Sequence, residues 1–176
     1  ARVDEITETA GVNKRMIYAY YGSKEKLYIA VLDTVYKRLA EREKDLLDKE
    51  TDCVSAVRNI IHHAFLFLYE NPTFVKMVMW ENLNEAAYLK QSEAVHAKGI
   101  SIDLLRRVLR QGMEEGVFRK GLDVEELIVS INMFCYSYFS NIYTMALIMG
   151  AELNGKKEVI KRCEHVTDII LQYIQA

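Results

Sequence analysis

Positively charged side chains and tyrosines are concentrated in a short stretch near the start of the chain. Between residues 13 and 26, four cations stand against a single acid, which gives this stretch a local charge of +3. Cations and hydroxyls grouped in this way bind phosphate oxygens, and arginine or lysine also hydrogen-bonds to the edges of guanine. The whole chain has a formal net charge of −2, so any nucleic-acid binding would depend on this local surface.

Two short helices joined by a glycine-containing turn are predicted to position these side chains. The first covers residues 2–10, and Asn13 is a suitable N-cap for a second helix that ends near Tyr21. Ile17 and Tyr21 lie four residues apart and are predicted to face the core. The second helix then exposes Lys14, Arg15, Tyr18 and Tyr20. This arrangement describes a helix-turn-helix, whose second helix presents its first residues to base edges.

The sequence gives little support to catalysis or metal binding. It contains no nucleophile beside a base, no His-x-x-x-His pair and no phosphate-binding loop. His62 and His63 are neighbours, so on a helix they point about 100° apart and cannot share one metal ion. We therefore expect no enzyme activity, no cofactor and no metal site.

The composition predicts an all-α fold. The chain has 176 residues, 51% of them apolar, with 8 glycines and 1 proline, which leaves few of the turns that an all-β fold needs. The apolar periodicity predicts seven or eight helices. The first of them form a small helix-turn-helix unit with a linking helix, over residues 1–45. The linking helix begins at residue 24, and its end is predicted slightly beyond this unit, near residue 49. A larger helical bundle follows over residues 46–176.

One stretch raises the question of a membrane span. Residues 127–149 contain no charged side chain, which is long enough to cross a bilayer. Its serines, asparagines and threonine favour instead one helix buried on all sides within protein, because hydrocarbon offers such groups no partners. We therefore expect no membrane partner. Three widely spaced cysteines and the absence of a signal peptide at the start indicate a cytoplasmic location.

The first 30 residues resemble the DNA-binding motif of the tetracycline-repressor (TetR) family. The matching run covers residues 6–27 and reads ITETAGVNKRMIYAYYGSKEKL. The Ala-Gly-Val turn, the tyrosine at position 18 and the Ser-Lys-Glu-x-Leu start of the third helix stand at the family spacing. Over the rest of the chain, the resemblance extends to helix order and length. The family has one more helix before this motif, so we expect the DNA-binding unit to be incomplete without it.

The resemblance implies roles for individual residues of this motif. Lys14 and Arg15 would approach base edges, while tyrosine hydroxyls and the charges at helix starts would meet phosphates. The predicted DNA-binding set is Arg2, Asn13, Lys14, Arg15, Tyr18, Tyr20 and Lys24. Arg15, Met16 and Tyr21 depart from the family pattern of glycine, a small hydroxyl residue and phenylalanine. The operator sequence is therefore not predicted.

The resemblance also implies two functions for the larger bundle. In the family, the last two helices pair with those of a second chain and the middle helices enclose a ligand. We therefore expect a homodimer through the last two helices and a small-molecule effector. Candidate pocket residues combine polar groups with apolar and aromatic ones; they are His62, Met77, Trp80, Asn132, Tyr136 and Asn141. The alternative for each is ordinary packing or a local hydrogen bond in the core.

Together these observations predict a one-component transcriptional regulator that binds double-stranded operator DNA. The expected mode is repression that a small-molecule effector releases. An alternative is that the same fold serves as a DNA-binding or protein-interaction module without a transcriptional role, because a fold does not determine a function.

Overall fold

The computed structural model describes residues 2–44, 46, 52–93 and 99–175. In this part of the chain it contains nine α-helices and one short 3₁₀ helix at Leu89–Gln91, which confirms the all-α prediction. The helices are α1 (Val3–Ala10), α2 (Lys14–Tyr21), α3 (Lys24–Lys44), α4 (Cys53–Glu70), α5 (Pro72–Leu83), α6 (Ile100–Glu114), α7 (Val124–Ser140), α8 (Ile142–Met149) and α9 (Lys156–Ile174).

Side-chain caps explain where several helices begin. The Asn13 side chain accepts a hydrogen bond from Arg15 N at 2.9 Å, and Asp123 caps α7 by accepting from Glu126 N at 3.1 Å. Each cap satisfies a backbone donor that the first turn of a helix leaves unpaired. Gly11 ends α1 with a φ of 64°, a left-handed conformation that glycine adopts without steric cost. The predicted start of α2 at Asn13 is therefore confirmed.

The first three helices form the N-terminal head. Ile17 of α2 is buried, as predicted, and Thr7 of α1 is also buried. Tyr21 was predicted to belong to the core, but its side chain is 40% exposed. It is the last residue of α2, where few neighbouring elements remain to cover a large ring.

The bundle is built around α4. Its inner face carries Val57, Ile61 and Phe65, all almost completely buried, and it packs against α6, α7 and α9. The Phe65 ring contacts the ring of Phe139 on α7 at a centroid distance of 5.8 Å. Burial of side chains this large is the main stabilising contribution to such a core.

The uncharged stretch is not one helix, contrary to the prediction. It is interrupted at Asn141, whose side-chain amide donates to the carbonyl of Ser137 at 3.0 Å, so α7 ends and α8 begins there. An asparagine that bonds to the preceding turn competes with helix continuation. Burial on all sides is also wrong for the single chain, because Leu147 and Ile148 of α8 are 84% and 79% exposed.

The predicted domain boundary between residues 45 and 46 remains a prediction. Residues 45 and 47–51 lie outside the described residues, and so does the predicted end of the linking helix near residue 49. Within the described residues, no helix is both long enough and apolar enough to cross a membrane.

A glycine of α6 allows a buried ring to pack closely against the helix. A Cβ atom at Gly112 would overlap the ring of Phe118. This ring is 1% exposed, and the backbone N–H of Phe118 donates to Gly112 O at 2.9 Å.

We expect Gly112→Ala to destabilise the fold by about 1–3 kcal/mol, because the buried ring of Phe118 must move. Urea unfolding followed by circular dichroism measures this. Glu114→Ala, at an exposed position of the same helix, is the control, and an equal or greater stability of Gly112→Ala would contradict the packing.

Candidate nucleic-acid interface and bundle cavity

The first turn of α2 presents the predicted base-reading residues to solvent. Asn13 uses its side chain to cap the helix, so its part in the site is to fix where α2 begins. Lys14 and Arg15 follow at once and both are exposed. The structure therefore places these side chains at the end of α2 from which helix-turn-helix proteins contact bases.

Lys14 is held by an acidic neighbour. Its Nζ atom lies 2.7 Å from Oδ1 of Asp4 on α1, and both side chains are exposed. The hydrogen bond and the charge of Asp4 raise the pKa of the Lys14 ammonium, so this lysine keeps its charge at neutral pH. Asp4 engages one of the three N–H donors of Lys14, so it competes with a base or a phosphate for this side chain.

The other predicted DNA contacts lie around α2. Tyr18 is 47% exposed and Tyr20 is 76% exposed, so both hydroxyls can reach an outside partner. Lys24 is the first residue of α3, and Ser23 caps this helix by accepting from Lys26 N at 3.2 Å. Arg2 precedes α1 and is exposed.

A cavity of about 690 Å³ lies inside the bundle. Helices α3, α4, α5 and α7 form most of its wall, and Ser101 of α6 closes one side. Aromatic lining side chains include Tyr36, Phe67, Phe74 and Tyr136. The lining is mostly apolar with a few hydrogen-bonding groups, which is the usual character of a small-molecule site.

Three of the six predicted pocket residues line this cavity, namely Asn132, Tyr136 and Asn141. The Tyr136 hydroxyl donates to the carbonyl of Val75 at 3.2 Å. The amides of Asn132 and Asn141 each donate to a carbonyl one turn earlier in α7. Their side chains are therefore held in place, with acceptor oxygens left for further partners.

The prediction that all six residues share one pocket is corrected by the structure. His62 lies on another face of α4, where its Nε2 atom is 3.3 Å from Oε1 of Glu164 on α9. Met77 and Trp80 line a separate groove between α3 and α5. A helix places residues about 100° apart around its axis, so neighbours in sequence such as His62 and His63 serve different surfaces. It is His63 that lines the cavity.

The sequence reasoning missed the contribution of α3 to this cavity. Tyr36, Leu39 and Glu43 of this helix all line it. They are spaced three and four residues apart, which is the signal of a single helix face. That spacing could have identified the face, but not the cavity it borders. The helix that begins with Lys24 at the head therefore ends in the wall of the cavity.

The outer face of the last helices is apolar and uncovered in the single chain. The exposed residues are Val129, Met133 and Phe134 on α7, Tyr143, Met145, Leu147, Ile148 and Met149 on α8, and Ile160, Ile169 and Tyr173 on α9. We call these eleven side chains the outer apolar face. An open groove between α7, α8 and α9 lies on the same side. Large apolar side chains exposed on neighbouring helices, four of which (Met133, Phe134, Met145 and Met149) line this groove, are typical of an interaction site.

Comparison with known proteins agrees with both parts of the chain. Residues 1–31 match the family of bacterial regulatory proteins called the tetR family. Residues 54–170 match the tetracyclin repressor-like C-terminal domain. The second match alone spans more than half of the chain.

Individual proteins of similar sequence or structure are also regulators. The chain is 29% identical over 172 residues to the HTH-type transcriptional repressor NicS of Pseudomonas putida, covering 97% of this chain and 81% of that protein. A Clostridium perfringens protein assigned to the regulation of fatty acid metabolism superposes with a TM-score of 0.76 at 25% identity, covering 100% and 90% of the two chains.

A third protein adds a bound ligand to the comparison. The transcriptional regulator FadR of Bacillus subtilis, solved in complex with stearoyl-CoA, superposes with a TM-score of 0.75 at 19% identity, over 99% and 89% of the two chains. At that identity the likeness concerns the fold. With an exposed helix-turn-helix in front of a bundle that matches over residues 54–170, the chain belongs to the TetR family of DNA-binding transcriptional regulators.

Proposed function

We propose that this regulator is a homodimeric repressor, and that a small molecule in the bundle cavity releases it from its operator. The observation that carries the proposal is the course of α3. Its first residue, Lys24, belongs to the predicted phosphate contacts, and its face with Tyr36 and Leu39 lines the cavity. A ligand that favours one position of α3 thereby favours one position of the head, and this difference in affinity couples the two sites.

The predicted DNA contacts support specific reading of a duplex. Lys14 and Arg15 sit at the start of α2, where bidentate bonds to guanine are geometrically possible. Tyr18, Tyr20 and Lys24 surround them with donors for phosphates. Base reading and backbone contacts would then come from one short segment.

The outer apolar face supports dimerisation through α7 and α9, together with α8. A twofold axis would pair each helix with its copy and cover the face without leaving an open end. Two heads held in this way match the two half-sites of a palindromic operator. Dimerisation therefore contributes to recognition of the operator as well as to the stability of the protein.

The lining of the cavity supports an amphipathic effector. Aromatic rings cover much of the wall, while Asn132, Asn141 and His63 supply polar atoms. The C. perfringens relative is assigned to fatty acid metabolism, and the B. subtilis regulator holds a molecule with a long acyl chain. A ligand with an extended apolar body and one polar end fits both observations.

The first prediction concerns Lys14 and its partner Asp4. Lys14→Ala should weaken specific binding and reduce the magnitude of the salt slope by about 1, because one phosphate or base contact is lost. Asp4→Asn should tighten binding by about threefold, because it frees Lys14 from an exposed ion pair. Fluorescence anisotropy on DNA from upstream of the protein's own gene, with a scrambled duplex beside it, measures both at two salt concentrations.

Glu114→Gln, which removes one acid outside the head, is the control for Asp4→Asn. If Lys14→Ala bound as tightly as the wild type, the assigned base contact would be wrong. If upstream DNA were not preferred over the scrambled duplex, the non-transcriptional alternative would gain support.

The second prediction concerns the dimer. Val129 of α7 is 52% exposed and belongs to the outer apolar face. Val129→Glu should convert the dimer to a 20.4 kDa monomer, because a charge buried in an apolar interface has no partner. Sedimentation velocity measures the mass. Val31→Glu on α3, at a position 41% exposed, should remain dimeric, and the reverse pattern would move the interface elsewhere.

The third prediction concerns the cavity. Ala64 of α4 lines it, so Ala64→Phe should fill part of the space and lower the affinity for an amphipathic probe by at least about tenfold. Titration calorimetry with 1-decanol as the probe measures binding, and the anisotropy assay checks that DNA binding persists. Leu66→Phe, at an exposed position of the same helix, is the control. Equal affinity of wild type and Ala64→Phe would place the probe outside this cavity.

A further inference from the structure

One side chain of the cavity wall, that of Glu43, is acidic and almost completely buried. Glu43, in the last turn of α3, is 5% exposed. Ser101, at the start of α6, donates to it through its hydroxyl at 2.5 Å and through its backbone N–H at 3.3 Å. Both carboxylate oxygens thus have a hydrogen-bond partner, and both bonds come from the same neutral residue.

No counter-charge lies beside the Glu43 carboxylate in the part of the chain that the structure describes. Among the described residues, no lysine, arginine or histidine nitrogen lies within 4 Å of Glu43. Among the described residues that line the cavity there is no lysine or arginine, and the one basic side chain is that of His63. An ionised carboxylate buried without a cation carries a desolvation cost that a neutral hydrogen bond offsets only in part.

We propose that this cavity selects effectors that carry a protonated amine, with Glu43 as the residue that binds the amine. The inference rests on the proposed role of the cavity as the effector site and names the chemical class of its ligand. An ammonium donates charge-assisted hydrogen bonds to the carboxylate, which are stronger than neutral ones in a medium of low dielectric constant. An anionic head group would instead meet a negative charge of its own sign.

The neighbouring side chains suit the rest of such a ligand. Tyr36 and Phe74 are in edge contact, with ring centroids 5.3 Å apart, and both line the cavity with Phe67. Their rings can cover an apolar body, and an aromatic face also attracts a nearby cation. A hydrophobic amine therefore finds a partner for each of its two ends.

The position of Glu43 connects this ligand to the head. Glu43 belongs to α3 and Ser101 to α6, so their hydrogen bonds tie the far end of the linking helix to the bundle. An amine that engages the carboxylate competes with Ser101 for it. Amine binding would thereby change how α3 is held, whereas a neutral ligand in the same cavity would leave this tie in place.

Three probes with the same chain and different head groups test the inference. Decylamine, 1-decanol and decanoate are titrated into the whole protein by calorimetry, and release of upstream DNA is followed by anisotropy. In the wild type we expect decylamine to bind about 10- to 100-fold more tightly than 1-decanol, the range of a charge-assisted bond. Decanoate should bind more weakly than 1-decanol.

Glu43→Gln is the decisive variant, because glutamine keeps the shape and can still accept from Ser101. It should bind decylamine and 1-decanol within about threefold of each other, with the affinity for 1-decanol unchanged from the wild type. A thermal melt at or above the wild-type midpoint shows that the variant is folded. Glu41→Gln, an exposed acid on the same helix, should retain the full preference for the amine.

The outcomes separate this inference from the proposed function. If 1-decanol binds in the cavity of the wild type and decylamine has no advantage, the amine preference is wrong and the cavity remains the effector site. A preference for the amine that persists in Glu43→Gln also overturns the role of Glu43. If none of the three probes binds the wild type, both the amine preference and the proposed amphipathic effector are contradicted.

Discussion

The continuity of α3 is the constraint on which the rest of this molecule depends. Its 21 residues run from Lys24 to Lys44 without a glycine or a proline, so the helix spans about 30 Å as one rigid rod. The first turn follows α2 of the helix-turn-helix, and the last turns form part of the cavity wall. Sharp kinks in helices occur mostly at proline or glycine, so an unbroken helix without either can pass a shift at one end to the other.

The rod is also held along its length by the segment that follows α5. Tyr88 meets Tyr28 of α3 edge to face at 5.2 Å, and the Ser92 hydroxyl donates to Asp33. The same segment begins beside Asn82, which lines the cavity. A molecule in the cavity can therefore contact side chains of α3 directly, and it can also act on α3 through the segment that follows α5. Two routes from the cavity to α3 fit the proposal that the position of this helix differs between two states.

A single chain leaves its outer apolar face open to water. Exposure of Leu147, Ile148 and Tyr143 on a short helix costs free energy that association with a second copy would recover. The core of the chain does not need this face, because α4 is already covered by α6, α7 and α9. The most exposed of these side chains, Leu147 and Ile148, are available for contact between chains.

The sequence alone determined most of the helices, the Asn13 cap and the helix-turn-helix, because these depend on residues within one or two turns of each other. Asn13 caps the helix it was expected to cap, and the motif over residues 6–27 lies within the match to the tetR family. Tertiary structure decided which side chains meet across helices. It placed His62 against α9, Trp80 in another groove and Glu43 in the cavity. Those positions depend on the angles at which helices pack, and helix packing is set by the whole core rather than by local spacing.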